Sequence, residues 1–292
     1  MADEYRRFWI ESSDALEREV LLASAFEAGA EGAEEREEGG RFRACIYAPS
    51  DRIDSIRGLL SASVEGETRI GPAEALPEVD WSEAWKEGLD ALRISSRLVV
   101  RPPFVEFELE PRQREIVIDP GQAFGTGDHA STRLCLEWID ELCQGSECPA
   151  RVLDVGTGSG VLALAAVALG AERAVGFDLD PVAIEAAHAA ARSNGLEANV
   201  HFFTGGIDEI HDPGETFALV LANLLKREML PIASEIAARV SPDGRLVLAG
   251  LLDEDVDEVA ARFSREGLRE VGRRALDDAT GRWIGLCLAR GA

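Results

Sequence analysis

Apolar positions change their spacing near residue 97, and the two spacings predict two folding units. In the first seventy residues, Arg7 to Ser12 reads as a strand. Ser13-Asp14 is placed to cap a helix with apolar positions Leu16, Val20, Leu21 and Phe26. Gly29 to Glu37 and Phe42 to Ala48 predict a hairpin about Gly39-Gly40. Asp51 is placed to cap a second helix carrying Ile53, Ile56, Leu59 and Leu60, after which Val64 to Ile70 closes the sheet. The order βαββαβ is ferredoxin-like, an arrangement that hosts too many functions to name one. Gly71-Pro-Ala-Glu-Ala-Leu-Pro77 is a linker by composition. Trp81 and Trp85 follow, one helical turn apart on a short amphipathic helix over Asp80 to Leu89. The expected division is an α+β domain over 1–72 and a linker with a short helix over 73–96.

Beyond that point the runs are shorter and more apolar. Leu98-Val-Val-Arg101 and Glu115-Ile-Val-Ile-Asp119 predict paired strands leading into the glycine-rich loop Asp119-Pro-Gly-Gln-Ala-Phe-Gly-Thr-Gly-Asp-His129. A helix after Ala130 then runs through Leu134, Leu136 and Trp138. Val152 to Val155, Ala174 to Phe177, Val200 to Phe203, Ala218 to Leu221 and Leu246 to Leu248 are apolar runs bounded by turn residues. Helical stretches separate them, such as Pro181 to Asn194 with Pro181 in a favourable first-turn position. This alternation predicts an α/β domain over 97–292 whose parallel sheet is covered on both faces. Leu268 to Leu276 and Trp283 to Ala289 have only Asp-Asp-Ala-Thr-Gly-Arg between them, so a hairpin puts an antiparallel strand into that sheet.

Charge narrows the partners. With 54 acidic and 30 basic residues the formal net charge is −24, which opposes a nucleic-acid substrate and favours a basic one. Cys45, Cys135, Cys143, Cys148 and Cys287 are odd in number and contain no C-x-x-C pair, a pattern of reduced thiols. His129, His188, His201 and His211 show no metal-ligand spacing, so no metal is expected. Met-Ala-Asp-Glu-Tyr-Arg-Arg7 is not a signal peptide, and Val161 to Ala171 is too short to cross a bilayer. The expectation is a cytoplasmic monomer with no membrane partner.

Candidate chemistry centres on Arg151-Val-Leu-Asp-Val-Gly-Thr-Gly-Ser-Gly160. Gly156, Gly158 and Gly160 alternate at the end of a strand, where they permit a tight turn and close approach of a ligand. Asp178 ends the next strand, a position that suits two vicinal ribose hydroxyls. Asp180 is better placed to cap the following helix, which leaves Asp178 for ribose. Dinucleotide sites favour G-x-G-x-x-G, whereas here the third glycine comes one position early. Asp154 precedes the turn and is placed to accept bonds from loop amides or a ligand ammonium. These details and the hairpin resemble a class I S-adenosylmethionine-dependent methyltransferase rather than a nicotinamide enzyme. That class implies a doubly wound, mostly parallel seven-stranded sheet with one antiparallel strand.

Asp119-Pro-Gly-Gln-Ala-Phe-Gly-Thr-Gly127, with Asp128-His-Ala-Ser-Thr132 and Leu134-Cys-Leu-Glu-Trp138, closely resembles the PrmA family, which methylates ribosomal protein L11 in bacteria. Asp80-Trp81 with Trp85 and the segment Ala222-Asn223-Leu224 match it as well, and the resemblance covers the whole chain. It implies that the N-terminal domain recognises the substrate. It also implies that Thr132, Gly156, Asp178 and Asn223 contact S-adenosylmethionine; Gly158 and Asp154 are further candidates from the glycine-rich turn itself. Phe124 is a candidate cover for the site's mouth. The chain departs from the family at Asp128, Ala130 and Ser131, where Thr, Pro and Thr are expected.

The expected reaction is displacement of a sulfonium methyl group by a lysine ε-amine or an N-terminal α-amine. Freeing a lysine of its proton at neutral pH costs about 4–5 kcal/mol, which a nearby positive charge and desolvation reduce. Asn223 is therefore given a positioning role and no general base is assigned. Two other readings keep the donor: methylation of another protein's lysine, such as an electron-transfer flavoprotein subunit, and a non-catalytic S-adenosylmethionine sensor. A base methyltransferase is opposed by charge, and Ala222-Asn223-Leu224-Leu225 lacks the Pro-Pro-aromatic continuation on which a base would stack.

Overall fold

The computed structural model describes residues 5–12, 15–38, 41–64, 68–75, 89–120, 129–145, 148–210, 212, 214–278 and 281–291. They belong to two compact units, residues 1–88 and 89–292. The helix expected over Asp80 to Leu89, apart from Leu89 itself, and the capping pair Ser13-Asp14 lie outside the described residues.

In the first unit, strands β1 (Tyr5–Ser12), β2 (Gly32–Glu38), β3 (Arg41–Pro49) and β4 (Arg69–Ile70) take the order β2-β3-β1-β4. A further short strand, β5 (Glu74–Ala75), also pairs with β1. Helices α1 (Ala15–Glu27) and α2 (Ile53–Ser63) complete the βαββαβ order. Phe8, Ile10, Ala44, Ile46 and Ala48 of the sheet are buried with Ile53, Ile56 and Leu60 of α2.

Three local expectations need correction. Along α1 the buried stripe is Leu21, Leu22 and Ala25, while Val20 and Phe26 are exposed. The run Val20-Leu-Leu-Ala-Ser-Ala-Phe26 offers more than one apolar stripe, and the sheet selects the one centred on Leu21-Leu22. Asp51 does not cap α2, because the helix begins one residue later, with Arg52 at the cap position and no side-chain cap bond. Leu59 is exposed in turn, and Leu60 is the residue that faces the core.

The second unit opens with a small sheet of β6 (Leu92–Arg93), β7 (Leu98–Arg101) and β8 (Arg114–Val117), in which β7 and β8 run parallel. The main sheet contains β9 (Arg151–Val155), β10 (Arg173–Asp178), β11 (Val200–Thr204), β12 (Phe217–Asn223), β13 (Val240–Leu252), β14 (Leu268–Asp278) and β15 (Gly281–Arg290). Its order is β11-β10-β9-β12-β13-β15-β14. Strands β9 to β13 pair in parallel, whereas β15 runs antiparallel to both its neighbours. The hairpin joining β14 and β15 is tighter than the apolar pattern implies, because pairing extends to Asp278 opposite Gly281.

Each central strand is apolar on both sides, as a sheet with two covered faces requires. Leu219 and Leu221 of β12 point into one core with helices α3 (Ala130–Leu142), α4 (Val161–Ala168) and α5 (Pro181–Asn194). Val220 and Ala222 point into the other, with α6 (Lys226–Met229), α7 (Ala233–Ala238) and α8 (Val256–Arg265). Asn194 ends α5 and joins it to the small sheet. Its Oδ1 accepts from Val117 N and its Nδ2 donates to Val117 O, both at 2.8 Å.

Candidate active site

The parallel strands all end on one side of the sheet, and a cavity of about 660 Å³ opens there. Its wall begins at the loop after β9. Gly156, Gly158 and Gly160 have φ of 69°, 54° and 81°, a left-handed conformation that glycine adopts without Cβ strain. At 156 a Cβ would also lie 2.5 Å from Leu224 Cδ2, so any side chain there would have to push the end of Leu224 aside.

Asp154 shapes this loop from below. It is fully buried, and its Oδ2 accepts from Thr157 Oγ1 at 2.7 Å and from Ala163 N at 3.3 Å. Oδ1 is buried and has no hydrogen-bond partner among the described residues. Burial pushes the carboxyl up to about 6; the bonds from Thr157 and Ala163 pull it down, and the nearby Asp178 carboxylate pushes it up.

Asp178 stands at the end of β10 and lines the cavity. It is more occupied than its sequence context indicates. Oδ2 accepts from Gly158 N and Oδ1 from Asp180 N, each at 3.0 Å. A carboxylate oxygen accepts two bonds, so each retains capacity towards the cavity. Asp180 caps α5 as expected, accepting from Val182 N at 2.9 Å.

Asn223 ends β12 and lines the cavity two strands away. Its Nδ2 donates to Thr132 Oγ1 at 3.1 Å. Thr132 itself is fully buried in the first turn of α3, so its hydroxyl meets Asn223 beneath the cavity surface. Gly156, Gly158, Asp178 and Asn223 thus share one cavity, with Asp154 and Thr132 holding them from behind. Phe124 and Asp128 lie outside the described residues.

Several wall residues escaped the sequence reading: His129, Ser131, Leu225, Glu228, Ile232, Gly250 and Trp283. His129 is the cap residue of α3. Its Nδ1 accepts from Ser131 N at 3.3 Å and lies 2.8 Å from Ser131 Oγ. Ser131, one of the departures from the family pattern, therefore fixes the His129 ring. Gly250 interrupts the apolar run of β13 at φ 80°, and a Cβ there would lie 2.5 Å from Leu224 O. Such a glycine inside a strand was the available signal for it. Trp283 carried no local signal, because its role arises only when β15 reaches the cavity.

A doubly wound sheet with one reversed strand and a cavity over its parallel strand ends defines the class I methyltransferase fold. A model of the ribosomal protein L11 methyltransferase (PrmA) family matches residues 14–284, and the chain belongs to that family. It is 42% identical over 213 residues to the ribosomal protein L11 methyltransferase of Syntrophotalea carbinolica, covering 73% of this chain and 67% of the relative. The Geobacter metallireducens protein of the same description is 38% identical over 230 residues, covering 76% and 74%. Among solved structures, the ribosomal protein L11 methylase of Lactobacillus delbrueckii subsp. bulgaricus aligns at TM-score 0.61 and 26% identity. That alignment covers 70% of this chain and all of the other. The protein is an enzyme of the methyltransferase class. Among the described residues no helix is long and apolar enough to cross a membrane, and no group of three or more His, Cys, Asp or Glu is placed to hold a metal ion.

Proposed function

We propose that the protein transfers methyl groups from S-adenosylmethionine to amino groups of ribosomal protein L11, lysine ε-amines foremost and an N-terminal α-amine besides. The observation that carries this reading is the convergence of Gly156, Asp178 and Asn223 on one cavity. The residues present fit an adenosyl donor. A volume of about 660 Å³ suits a cofactor of this size, and the left-handed backbone at Gly156 brings a bare main chain to the wall.

Asp178 takes the two ribose hydroxyls with the lone pairs left over from Gly158 and Asp180. Gly156 and Gly158 give the ligand close access to backbone. Thr132 fixes the Asn223 amide, and Asn223 orients the acceptor. When bound, S-adenosylmethionine would supply a methyl group activated by its sulfonium: an amine lone pair would bond to the methyl carbon as the carbon–sulfur bond breaks, releasing S-adenosylhomocysteine, and the nitrogen proton would pass to water. Geometric alignment supplies much of the rate in such displacements, so the wall needs positioning groups more than a strong base. Low polarity in the cavity helps the amine shed its proton.

In this reading residues 1–72 grip the protein substrate, 73–96 connect, and 97–292 carry the chemistry. The enzyme acts as a cytoplasmic monomer and binds no nucleic acid. The formal charge of −24 steers a basic ribosomal protein towards it. The test is mass spectrometry of L11 incubated with the full chain and donor at rising ionic strength. Methyl increments on lysines, forming more slowly as salt rises, are expected. Donor binding without any increment on L11 would instead favour a sensor or a different protein substrate.

A further inference from the structure

The cavity extends well past Asn223. Strand order sets the sequence of its wall as Asp178 on β10, Gly156 after β9, Asn223 on β12, Gly250 on β13 and Trp283 on β15. At about 4.8 Å per strand, the strand bearing Trp283 is four places, roughly 19 Å, from the strand bearing Asp178. Because β15 is antiparallel, its first residues lie beside the last residues of β13, with Trp283 opposite Leu252. This places an indole on the far side of Asn223 from Asp178.

The indole is held. Its Nε1 donates to Asp278 Oδ1 at 3.1 Å, and the indole and the His129 ring pack in a T, with centroids 4.5 Å apart and planes at 70°. Ser131 fixes His129 in turn through Nδ1. A chain of contacts from the first turn of α3 to the start of β15 thus presents a half-buried aromatic surface to the cavity. An aromatic face attracts cations, and it does so best for those that are weakly hydrated. Each methyl added to an amine removes an N–H donor and yields a larger, less hydrated cation. Such a product gains from an indole what it loses in hydrogen bonding.

We propose that Trp283, braced by His129, is the specificity-determining wall for the acceptor nitrogen. It favours substituted ammonium groups and so retains a partly methylated nitrogen in the cavity, where each further transfer begins once that nitrogen gives its proton to water. The inference rests on the methyl-transfer reading above. The full-length protein with bound S-adenosylhomocysteine is titrated with tetramethylammonium chloride and with neutral tert-butanol, following the ligand methyl signals by NMR. Trp283→Leu keeps apolar bulk and removes the ring, whereas Trp283→Phe keeps an aromatic face. Wild type and W283F are expected to prefer the cation, and W283L to lose about tenfold of that preference. A second arm compares the methylation states formed on L11, where W283L is expected to accumulate lower states than W283F. A preference absent from wild type, or unchanged in W283L, overturns the proposal. If wild type binds S-adenosylhomocysteine and prefers the cation yet leaves L11 unmodified, the substrate assignment fails and the wall stands.

Discussion

The side-chain amide of Asn223 donates to the hydroxyl of Thr132 at 3.1 Å, joining the end of β12 to the first turn of α3 across 91 residues of chain. Thr132 is fully buried, so this bond fixes the Asn223 head group from behind and leaves its other face to the cavity. Asn223→Ala is expected to lower kcat/KM for methyl transfer by about a hundredfold, and Thr132→Val by about tenfold, since small displacements at a reacting centre are costly. A double-mutant cycle on activity should return a coupling of about 1 kcal/mol. Additive effects would show that the two residues act separately.

Two glycines carry different obstacles and therefore predict different rescues. A Cβ at Gly156 meets the flexible end of Leu224, whereas at Gly250 it meets the Leu224 carbonyl group itself. Gly156→Ala is expected to cost about 1–2 kcal/mol through its left-handed backbone and its contact with Leu224 together, and to weaken donor binding. Gly250→Ala is expected to cost about 3 kcal/mol, because backbone must move. Adding Leu224→Ala should restore part of the loss in G156A and none in G250A, as read by urea denaturation and calorimetric donor binding.

Asp154 makes stability depend on pH in an unusual direction. Its folded-state value of about 6 lies above the ordinary aspartate value, so its contribution is fully present below about pH 4 and is lost as pH rises through 6. The loss amounts to about 2–3 kcal/mol between those limits. Asp154→Asn should remove this component, so the difference between wild-type and variant stability curves should change most between pH 4 and 7. A difference independent of pH would mean that Asp154 titrates normally.

Asn194 holds the small sheet to α5 through two bonds to Val117 at 2.8 Å, while its Nδ2 also donates to Ala190 O of its own helix at 2.8 Å. Asn194→Ala leaves both polar groups of Val117 without a protein partner and is expected to cost about 2–3 kcal/mol. Hydrogen exchange should show the Val117 amide exchanging far faster in the variant, with the β9 and β12 amides protected as before. Asn194→Asp keeps an acceptor for the Val117 amide and loses the donors, so it should fall between the two.

Local chemistry made much of the second unit legible. Helix α5 spans the Pro181 to Asn194 expected for it, because Asp180, Pro181 and Gly195 mark its ends through nearest-neighbour bonds. The alternating glycines and Asp178 were visible for the same reason, since a strand-to-helix turn is built from consecutive residues. What escaped notice depends on partners distant in sequence. The phase of α1 was settled by the sheet beneath it, and the two-residue strands β5 and β6 exist only through pairing with β1 and β7. His129 offered no metal spacing and looked inert, yet Ser131 on one side and Trp283 on the other make it part of the cavity wall. The occupied state of Asp178 was likewise invisible, because Gly158 reaches it only after the loop has folded.

The placement of β15 between β13 and β14 also dictates an order of events at birth. As the chain emerges from its own ribosome, β14 appears first and finds no neighbour, because the strand it must join has not been made. The margin of β13 stays bare until Gly281–Arg290 is extruded, and bare margins invite pairing with the wrong chain. Closure therefore comes in one late step, and the same step delivers the indole that finishes the cavity.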